Sequence, residues 1–415
     1  MYKYIDLPKD ADSYFIVENR VAYTNPSMHN LQQTHNKEHT MQIDYMQRWK
    51  EIHTLNVGGK YIIRNNTNDS RYYTLHTPRE WFYHYSPEDM FHHQQKVFSL
   101  YVEYELNKNN ISYTFGLRNE FTKERILYAD AGLSDFDIDF NNFLPFGGLS
   151  YTLNNRSHVG VSYRSRISRP GIYYLNPKKS YVDFSTVYYG NPELDSEKHQ
   201  TLELEYSTMY PKGMLNLSLN YTFCNNAIQG VYGMNGDGLL YNTYNNGGRN
   251  KEVSLSGFLS YAPVSFMRLS VSATGKHVYV SNVWNNKKIS NEGFTGSLSG
   301  NISFNLPKSY RLNLYGSYNF PRIDLQGKYF NFYYCGWRLS KSFLKDKLDV
   351  SVRGSDVFWK FKKFNSTYTT DLVQIKSETK IQGMTYELSI SYKFNSSRSS
   401  IKKTEKTIRN TDVRN

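Results

Sequence analysis

Residues 294–306 read Phe-Thr-Gly-Ser-Leu-Ser-Gly-Asn-Ile-Ser-Phe-Asn-Leu, with an apolar residue or glycine at every even position and Ser, Thr or Asn at every odd one. The same alternation occurs at 215–223 and 384–394. A period of two places successive side chains on opposite faces of a β-strand. Each stretch therefore predicts a strand with one apolar and one polar face.

The lengths of the strands and of their connections indicate a membrane protein. The alternation persists for about ten residues, which is the length that a tilted strand needs to cross a bilayer, whereas strands of soluble domains are typically ~5–6 residues long. Short polar turns lie at 107–110, 154–156, 211–213, 262–264, 307–309 and 345–347. Long connections alternate with them at 65–93, 123–141, 168–198, 225–248, 277–292, 321–329 and 355–381. This segregation is typical of an outer-membrane barrel whose long loops face the cell exterior.

We predict an all-β fold, a transmembrane antiparallel outer-membrane β-barrel with about sixteen strands over residues 13–394. Fifteen strands are read from the alternation, at 40–49, 53–64, 94–106, 111–121, 143–153, 157–167, 199–210, 214–224, 249–261, 266–276, 293–306, 310–320, 330–343, 348–354 and 383–394. Single-chain bacterial barrels have an even number of strands. We therefore assign a sixteenth strand to 13–23.

The amino-acid composition excludes several other classes of protein. Aromatic residues make up 16% of the 415 residues, which argues against disorder. The mean hydropathy is −0.66 and no stretch approaches ~18 consecutive apolar residues, so a helical membrane protein is excluded. Two Cys exclude a disulfide scaffold. The net charge of +13 is scattered, which predicts no nucleic-acid partner. A soluble propeller or sandwich remains the alternative fold.

The two ends of the chain differ from the barrel region. Residues 1–12 form a lead-in without the apolar core of a signal peptide. Residues 395–415 hold six Lys/Arg against two Asp/Glu, which predicts a basic, disordered periplasmic tail. The last strand ends with the aromatics Tyr392 and Phe394. This ending resembles the C-terminal signal that the barrel-assembly machinery reads.

One block of motifs carries a family resemblance. Its members are Arg166, Arg169 and Pro170, then Leu175, Asn176 and Pro177, then Gly190, Asn191, Pro192 and Leu194 with Glu197. The block resembles the R-x-S-R-P, L-N-P and G-N-P-x-L-x-P-E pattern of TonB-dependent-receptor-like outer membrane β-barrel proteins. The chain departs from the pattern at Asp195, where Lys is common, and at Ser196, where Pro is common.

The resemblance implies a receptor or transport protein of the cell outer membrane, surrounded by lipid, with no cofactor and no enzyme activity. Relatives carry a plug domain and a 22-stranded barrel. We therefore expect the C-terminal barrel portion, lacking the plug, with sixteen strands that are either a complete barrel or part of the larger one. The second functional alternative is a non-transporting surface structure, such as an adhesin, or a truncated remnant.

The motif block has two interpretations. Pro170, Pro177 and Pro192 fix φ and remove backbone donors, so the block can hold the shape of a long extracellular loop. The alternative is that its side chains contact a ligand directly. The sequence leaves both open.

Aromatic residues in the long loops are the candidate ligand contacts. Tyr and Trp among Asn and Gly are typical of surfaces that bind sugars or proteins. The candidates are Trp81, Tyr83, Tyr188, Tyr189, Tyr241, Tyr244 and Trp284. Their ligand would be an external glycan, peptide or metal chelate. The alternative is that these side chains pack on each other over the barrel mouth.

Catalytic and metal sites are not predicted. No G-x-S-x-G elbow occurs, and no Ser/His/Asp set falls on neighbouring strand ends. His84, His92 and His93 share a loop but lack a spacing that is typical of metal ligands. Polar-face residues such as Glu203, Glu205, Arg164 and Arg353 would instead line a wet path through the barrel.

Overall fold

The computed structural model describes residues 2–3, 13–17, 28–77, 80–84, 90–128, 135–177, 179–183, 186–234, 240–369, 374–394 and 413–414. The strands, in chain order, are β1 Tyr2–Lys3, β2 Ser13–Val17, β3 Met28–Trp49, β4 His53–Thr77, β5 Glu80–His84, β6 Met90–Lys108, β7 Ile111–Tyr128, β8 Phe136–Asn154, β9 Ser157–Pro170, β10 Ser180–Asp183, β11 Thr186–Tyr188, β12 Glu197–Tyr210, β13 Gly213–Met234, β14 Leu240–Val264, β15 Met267–Trp284, β16 Lys287–Leu306, β17 Tyr310–Asn319, β18 Ile323–Asp324, β19 Gly327–Lys328, β20 Phe332–Phe343, β21 Leu348–Ser355, β22 Phe361–Thr369, β23 Gln374–Gln382, β24 Thr385–Tyr392 and β25 Val413–Arg414. One short helix, α1, covers Ile172–Leu175.

The described residues include a strand at each of the sixteen predicted positions, and the all-β prediction is confirmed. Strand β2 covers the first part of the predicted strand 13–23, and 18–23 lie outside the described residues. The short turns fall where the sequence places them, for example between β12 and β13 and between β16 and β17. Lys308 and Ser309 adopt φ values of 59° and 60° there, as a tight connection requires.

Register confirms that the alternation separates two faces of the sheet. Strands β8, β9, β12–β17, β20, β21 and β24 pair antiparallel in this order. Leu298 lies opposite Ala273 and Tyr318, whereas Ser299 lies opposite Ser272. Directly opposed residues project to the same face, so apolar rows and polar rows run across neighbouring strands.

The chain divides into two compact units. The first contains Met1–Gln47, Leu55–Glu103 and Leu117–Leu144, and the second contains Arg48–Thr54, Tyr104–Gly116 and Pro145–Asn415. In the first unit, buried polar groups form a chain: His93 Nε2 lies 3.0 Å from Glu124 Oε2, and Gln95 donates to Glu124 Oε1 over 2.6 Å. Gln95 in turn accepts from Arg64 over 2.5 Å.

Paired strands extend much further than the alternation predicts. The predicted loop 225–248 is largely the upper part of β13 and β14, and 277–292 is a hairpin that turns at Asn285 and Asn286. In 355–381, β22 and β23 join β18 and β19 in a separate four-stranded sheet. Above the membrane neither face of a strand meets lipid, so backbone pairing continues where the hydrophobic alternation stops.

The apolar side chains of the second unit fall into two populations. Wall residues are exposed, such as Leu255 at 59% and Leu388 at 66%, as expected of side chains that meet lipid. The buried apolar residues lie mainly in the long connections that the sequence predicts, as Leu175, Leu194 and Ile228 do. The hydrophobic core of this unit therefore lies in these segments, some of which are extensions of the strands.

The chain ends are described only in part. Most of 1–12 and 395–412 lie outside the described residues, so the lead-in and the disordered tail stay predictions. Val413–Arg414 form a short parallel strand beside Arg169–Pro170. The Tyr392 and Phe394 rings lie 4.8 Å apart, edge to face, and their reading by the assembly machinery stays a prediction. Among the described helices, none is long and apolar enough to cross a membrane.

Candidate functional site

The described residues of 169–197 form one compact loop, which we call the motif loop, and it contains the members of the motif block from Arg169 to Glu197. Two of its three Pro-containing motifs meet through the backbone: Gly190 N–H donates to Asn176 O over 2.6 Å, and Asn191 N–H donates to Tyr174 O over 2.7 Å. Helix α1 lies between β9 and this junction and ends at Leu175, which is fully buried. The spaced motifs of the sequence are therefore neighbours in space.

Gly190 is the tightest point of the junction. A Cβ atom there would lie 2.5 Å from Tyr174 O and 2.7 Å from Asn176 N, both backbone atoms that cannot swing away. This close approach explains why the position holds glycine.

Three Asn side chains tie the motif loop to β13 and β14. Asn191 Nδ2 donates to Tyr244 O over 3.0 Å, and Asn246 Nδ2 donates to Asp195 O over 3.0 Å. Asn226 Nδ2 donates to Ser196 O over 2.6 Å. Asn226 and Asn246 satisfy carbonyls of the motif loop, and Asn191 satisfies a carbonyl of β14, so the loop is fixed without a regular ladder.

The other motif residues differ in their exposure. Arg169, Pro170, Leu194 and Glu197 are buried, and Glu197 Oε1 accepts from the backbone N–H of Ile228 over 2.8 Å. Arg166 is exposed, and Pro177 and Pro192 are half-buried. Burial of these four members is expected of residues that hold the loop in shape.

Four tyrosine side chains cluster on the motif loop and the adjoining β14. Tyr173 stacks on Tyr188 with ring centroids 4.5 Å apart, and Tyr174 lies 4.6 Å from Tyr244. Tyr188 Oη donates to Tyr173 O over 2.7 Å. We call these four residues the tyrosine cluster. Burial raises the pKa of Tyr188 and of Tyr244 above the ordinary value of 10.0, so both phenols are neutral at physiological pH.

A cavity of about 940 Å³ lies beside the tyrosine cluster in the second unit. Tyr173, Tyr174 and Tyr244 form part of its lining, together with side chains from β12–β16 and from the segment around β18. Such a volume lies at the upper end of the ~300–1,000 Å³ that small-molecule sites occupy. The polar lining includes Thr222, Gln229, Asn242, Asn250, Thr295 and Ser297.

Four charged groups of the cavity form two pairs, and Lys251 also lines it. Lys276 Nζ lies 3.0 Å from Glu252 Oε1, and Arg322 lies 3.9 Å from Asp324 Oδ2. The Arg322 guanidinium also covers the Tyr329 ring at 3.9 Å. The lining therefore offers aromatic faces and neutral hydrogen-bonding groups, together with two paired cations and Lys251.

The structure separates the seven aromatic candidates. Tyr188 and Tyr244 belong to the cluster, and Tyr189 pairs with Tyr241 at 6.1 Å. Trp284 lies at the end of β15 and does not line the cavity. Trp81 and Tyr83 lie in β5, and their side chains are outside the described part of the chain. Within the described part of the chain, no group of three or more His, Cys, Asp or Glu residues could hold a metal ion.

The sequence pattern of one family matches residues 2–392, nearly the whole chain; its description is "Outer membrane protein beta-barrel family". The chain belongs to this family. Membership places the protein in the cell outer membrane, as predicted. No curated protein sequence matches the chain.

Solved structures share the family fold at low sequence identity. The ferric yersiniabactin uptake receptor FyuA from Yersinia pestis matches with a TM-score of 0.64 and 11% identity over 92% of this chain and 56% of its own. The copper transporter OprC matches at 0.65 and 10% over 92% and 62%. The ferric citrate transporter FecA matches at 0.61 and 13% over 92% and 57%. The chain thus spans less than two thirds of these proteins.

The family match and these structures confirm the resemblance to TonB-dependent-receptor-like barrel proteins. The neighbours are receptors and transporters, which agrees with the prediction that the chain is not an enzyme. Sequence reasoning missed Asn226, Asn246 and most of the cavity wall. No motif marks these residues, since Asn246 reaches its partner Asp195 across 51 residues of sequence.

Proposed function

We propose that the protein is an outer-membrane receptor that binds an external nutrient beside the tyrosine cluster and passes it along the polar face of the barrel. The observation that carries this proposal is the cavity of about 940 Å³, lined jointly by the motif loop and by polar wall residues. A ligand in this position would touch the exterior-facing loop and the wet path at once.

The lining favours one of the three ligand classes that the sequence leaves open. Tyr173, Tyr174 and Tyr244 offer ring faces, and Gln229 and Asn242 offer amides. Lys276 and Arg322 are paired with carboxylates, so an anionic metal chelate would have to displace an existing partner or rely on Lys251 alone. Ring stacking combined with neutral hydrogen bonds suits a glycan of a few sugar units.

The motif loop has a supporting role in this proposal. Its buried junction holds the tyrosines in place, so Arg169, Gly190 and Glu197 would act through the loop's shape and not by touching the ligand. Polar side chains further down the wall would line the path, as in the Arg164–Glu203 pair at 3.5 Å.

Calorimetric titration of the full chain in detergent micelles tests the proposal, with maltohexaose, hexaalanine and ferric citrate as probes. Ser297 lines the cavity, so Ser297→Trp should fill part of it and weaken maltohexaose binding by about tenfold or more, which corresponds to ~1.4 kcal/mol. Ser270 projects from the same polar face outside the cavity, so Ser270→Trp is the matched control and should bind as the wild type does.

The outcomes separate the parts of the proposal. Binding of hexaalanine or ferric citrate alone would keep the receptor function and overturn the glycan class. Absence of binding for all three probes, or equal binding by wild type and Ser297→Trp, would overturn the receptor site itself.

A further inference from the structure

A furrow crosses the apolar face of four neighbouring strands. Val271, Gly300, Gly316 and Cys335 lie side by side on β15, β16, β17 and β20, each opposite the next. Because Gly300 and Gly316 have no side chains, the centre of this apolar face is open. The resulting open groove has a volume of about 940 Å³, which is enough for a lipid chain or a small molecule.

Larger side chains border the furrow at both ends. Ile302 and Leu314 lie at the end towards the short turns. At the other end are Tyr333 and Trp359, whose rings meet edge to face at 5.1 Å, and Phe358, which is 79% exposed. Aromatic side chains are typical of the membrane–water interface, so the furrow runs from the outer interface into the apolar layer.

The backbone does not require glycine at either position. A Cβ at Gly300 would have its nearest neighbour at 3.9 Å, and one at Gly316 would meet Tyr334 O at 3.4 Å, which is ordinary contact. Neither residue has a positive φ. What the glycines provide is therefore open space, and glycine within a strand often marks the close approach of a ligand.

Lysines lie immediately beyond the aromatic end. Lys360 follows Trp359 in sequence, and its Nζ lies 5.8 Å from the Phe361 ring, which Lys380 approaches to 4.5 Å from β23. Lys363 lies opposite Lys380 and is paired with Glu378 over 3.1 Å. This end of the furrow thus carries an excess of positive charge.

We propose that the furrow holds one acyl chain of an anionic, phosphate-bearing lipid of the outer membrane, with the headgroup at Lys360 and Lys380. Because the furrow lies in the lipid-facing wall, it is open to the acyl chains of the membrane. The lysines would select a headgroup of negative charge. Small residues would also admit a second protein chain. A second copy of this chain, with a net charge of +13, would bring like charge towards the lysines, whereas a phosphate complements them.

Native mass spectrometry of the full chain in detergent micelles tests the proposal. The protein is incubated with equal amounts of phosphatidylglycerol and phosphatidylcholine that have identical acyl chains. We expect the phosphatidylglycerol adduct to exceed the phosphatidylcholine adduct by about tenfold, since two charged contacts distinguish the headgroups. Lys360→Gln with Lys380→Gln should bring the two adducts to equal levels, and Gly300→Leu with Gly316→Leu should remove both.

Matched controls exclude general effects of charge and bulk. Lys287→Gln with Lys288→Gln removes the same charge from another hairpin. Gly275→Leu adds the same side chain to the same face at a position with open space outside the furrow. Both controls should retain the wild-type preference. Equal lipid adducts on the wild type would overturn the proposal, as would a dimer that only the furrow variant abolishes while the lipid adducts persist.

Discussion

The motif loop and the β22–β23 hairpin both arise from long connections that the sequence predicts, but different interactions hold them. In the motif loop, neutral hydrogen bonds from Asn191, Asn226 and Asn246 are spread over two neighbouring strands. In the hairpin, one buried ion pair joins Lys362 to Asp356 at 2.5 Å. The motif loop should therefore lose stability in small steps as single hydrogen bonds are removed. The hairpin should lose much of its stability as soon as one member of the ion pair is replaced.

The hairpin depends on this pair because its surroundings are apolar. Phe364 is buried against Phe330 and Phe332, with ring centroids 5.3 and 5.6 Å away. Lys362 Nζ also donates to Tyr333 O over 3.0 Å. Loss of one charged partner would leave the other in a desolvated position, which is costly.

The largest effect is expected from Asp356→Asn. Asn tolerates the positive φ of 52° at this position, so the substitution removes charge without backbone strain. The buried Lys362 ammonium then lacks its counter-charge, and we expect the hairpin to lose about 3 kcal/mol, near the ~3–5 kcal/mol range for breaking a buried pair. Hydrogen exchange of residues 361–369 and 374–382 measures the loss.

A double variant serves as the control for this prediction. Asp356→Asn with Lys362→Met removes both charges and should recover most of the hairpin's protection, since a buried pair can often be replaced by apolar groups. A hairpin that exchanges equally slowly in wild type and Asp356→Asn would show that the ion pair does not hold it.

Gly190→Ala is expected to have the next largest effect. The new Cβ would collide with Tyr174 O and Asn176 N, and such overpacking typically costs ~1–3 kcal/mol. The junction should open and the near-ultraviolet circular dichroism of the stacked tyrosines should weaken. Gly275→Ala, where a Cβ meets nothing within 4 Å, should leave the spectrum unchanged.

Asn246→Ala should have a smaller effect. It removes three side-chain hydrogen bonds, two with the backbone of Asp195 and one with Asn226 O. Because the two at Asp195 are exposed, each bond is taken at the lower end of ~0.5–1.5 kcal/mol, which gives about 1.5 kcal/mol in total. Hydrogen exchange at 186–197 should accelerate by about tenfold while the β22–β23 hairpin is unaffected. If Asn246→Ala destabilised the motif loop as much as Asp356→Asn destabilises the β22–β23 hairpin, the idea that distributed hydrogen bonds hold the motif loop would be contradicted.

The smallest effect is a dependence on alkaline pH. Burial raises the pKa of Tyr188 and Tyr244, so the folded cluster disfavours their ionised forms. Stability from the cluster is therefore fully present below pH ~10, the ordinary pKa, and declines as pH rises above it. Tyrosinate absorbance should show fewer tyrosines that ionise above the ordinary pKa of ~10 in Tyr188→Phe than in the wild type. Identical titration curves would argue against a buried cluster.

Sequence predicted the wall of this protein better than its loops, for a physical reason. Lipid on one side imposes alternation on residues such as 294–306, so the strands within the membrane leave a periodic pattern. The paired strands β22 and β23 have no such periodic pattern, since neither face of that hairpin meets lipid. Tyr188 and Tyr244 are predicted as loop aromatics, but the grouping of the tyrosine cluster depends on contacts between distant residues, such as Tyr174 with Tyr244.

The glycine furrow is a second feature that the sequence alone does not predict. Gly300 and Gly316 fit the alternation as apolar-face positions, yet only the register of β16 and β17 brings them side by side. The motif block was recognisable because its residues keep fixed spacings. Its partners Asn226 and Asn246 lie outside the block and could be found only in three dimensions.

Hydrogen exchange of the full chain with and without saturating maltohexaose tests the central claim most directly, which is that the cavity beside the tyrosine cluster receives the external ligand. The account predicts added protection at 172–175, 186–191, 228–232 and 240–244, with the β22–β23 hairpin unchanged. Binding that protects only segments away from the cavity, or no protection at all, would contradict it.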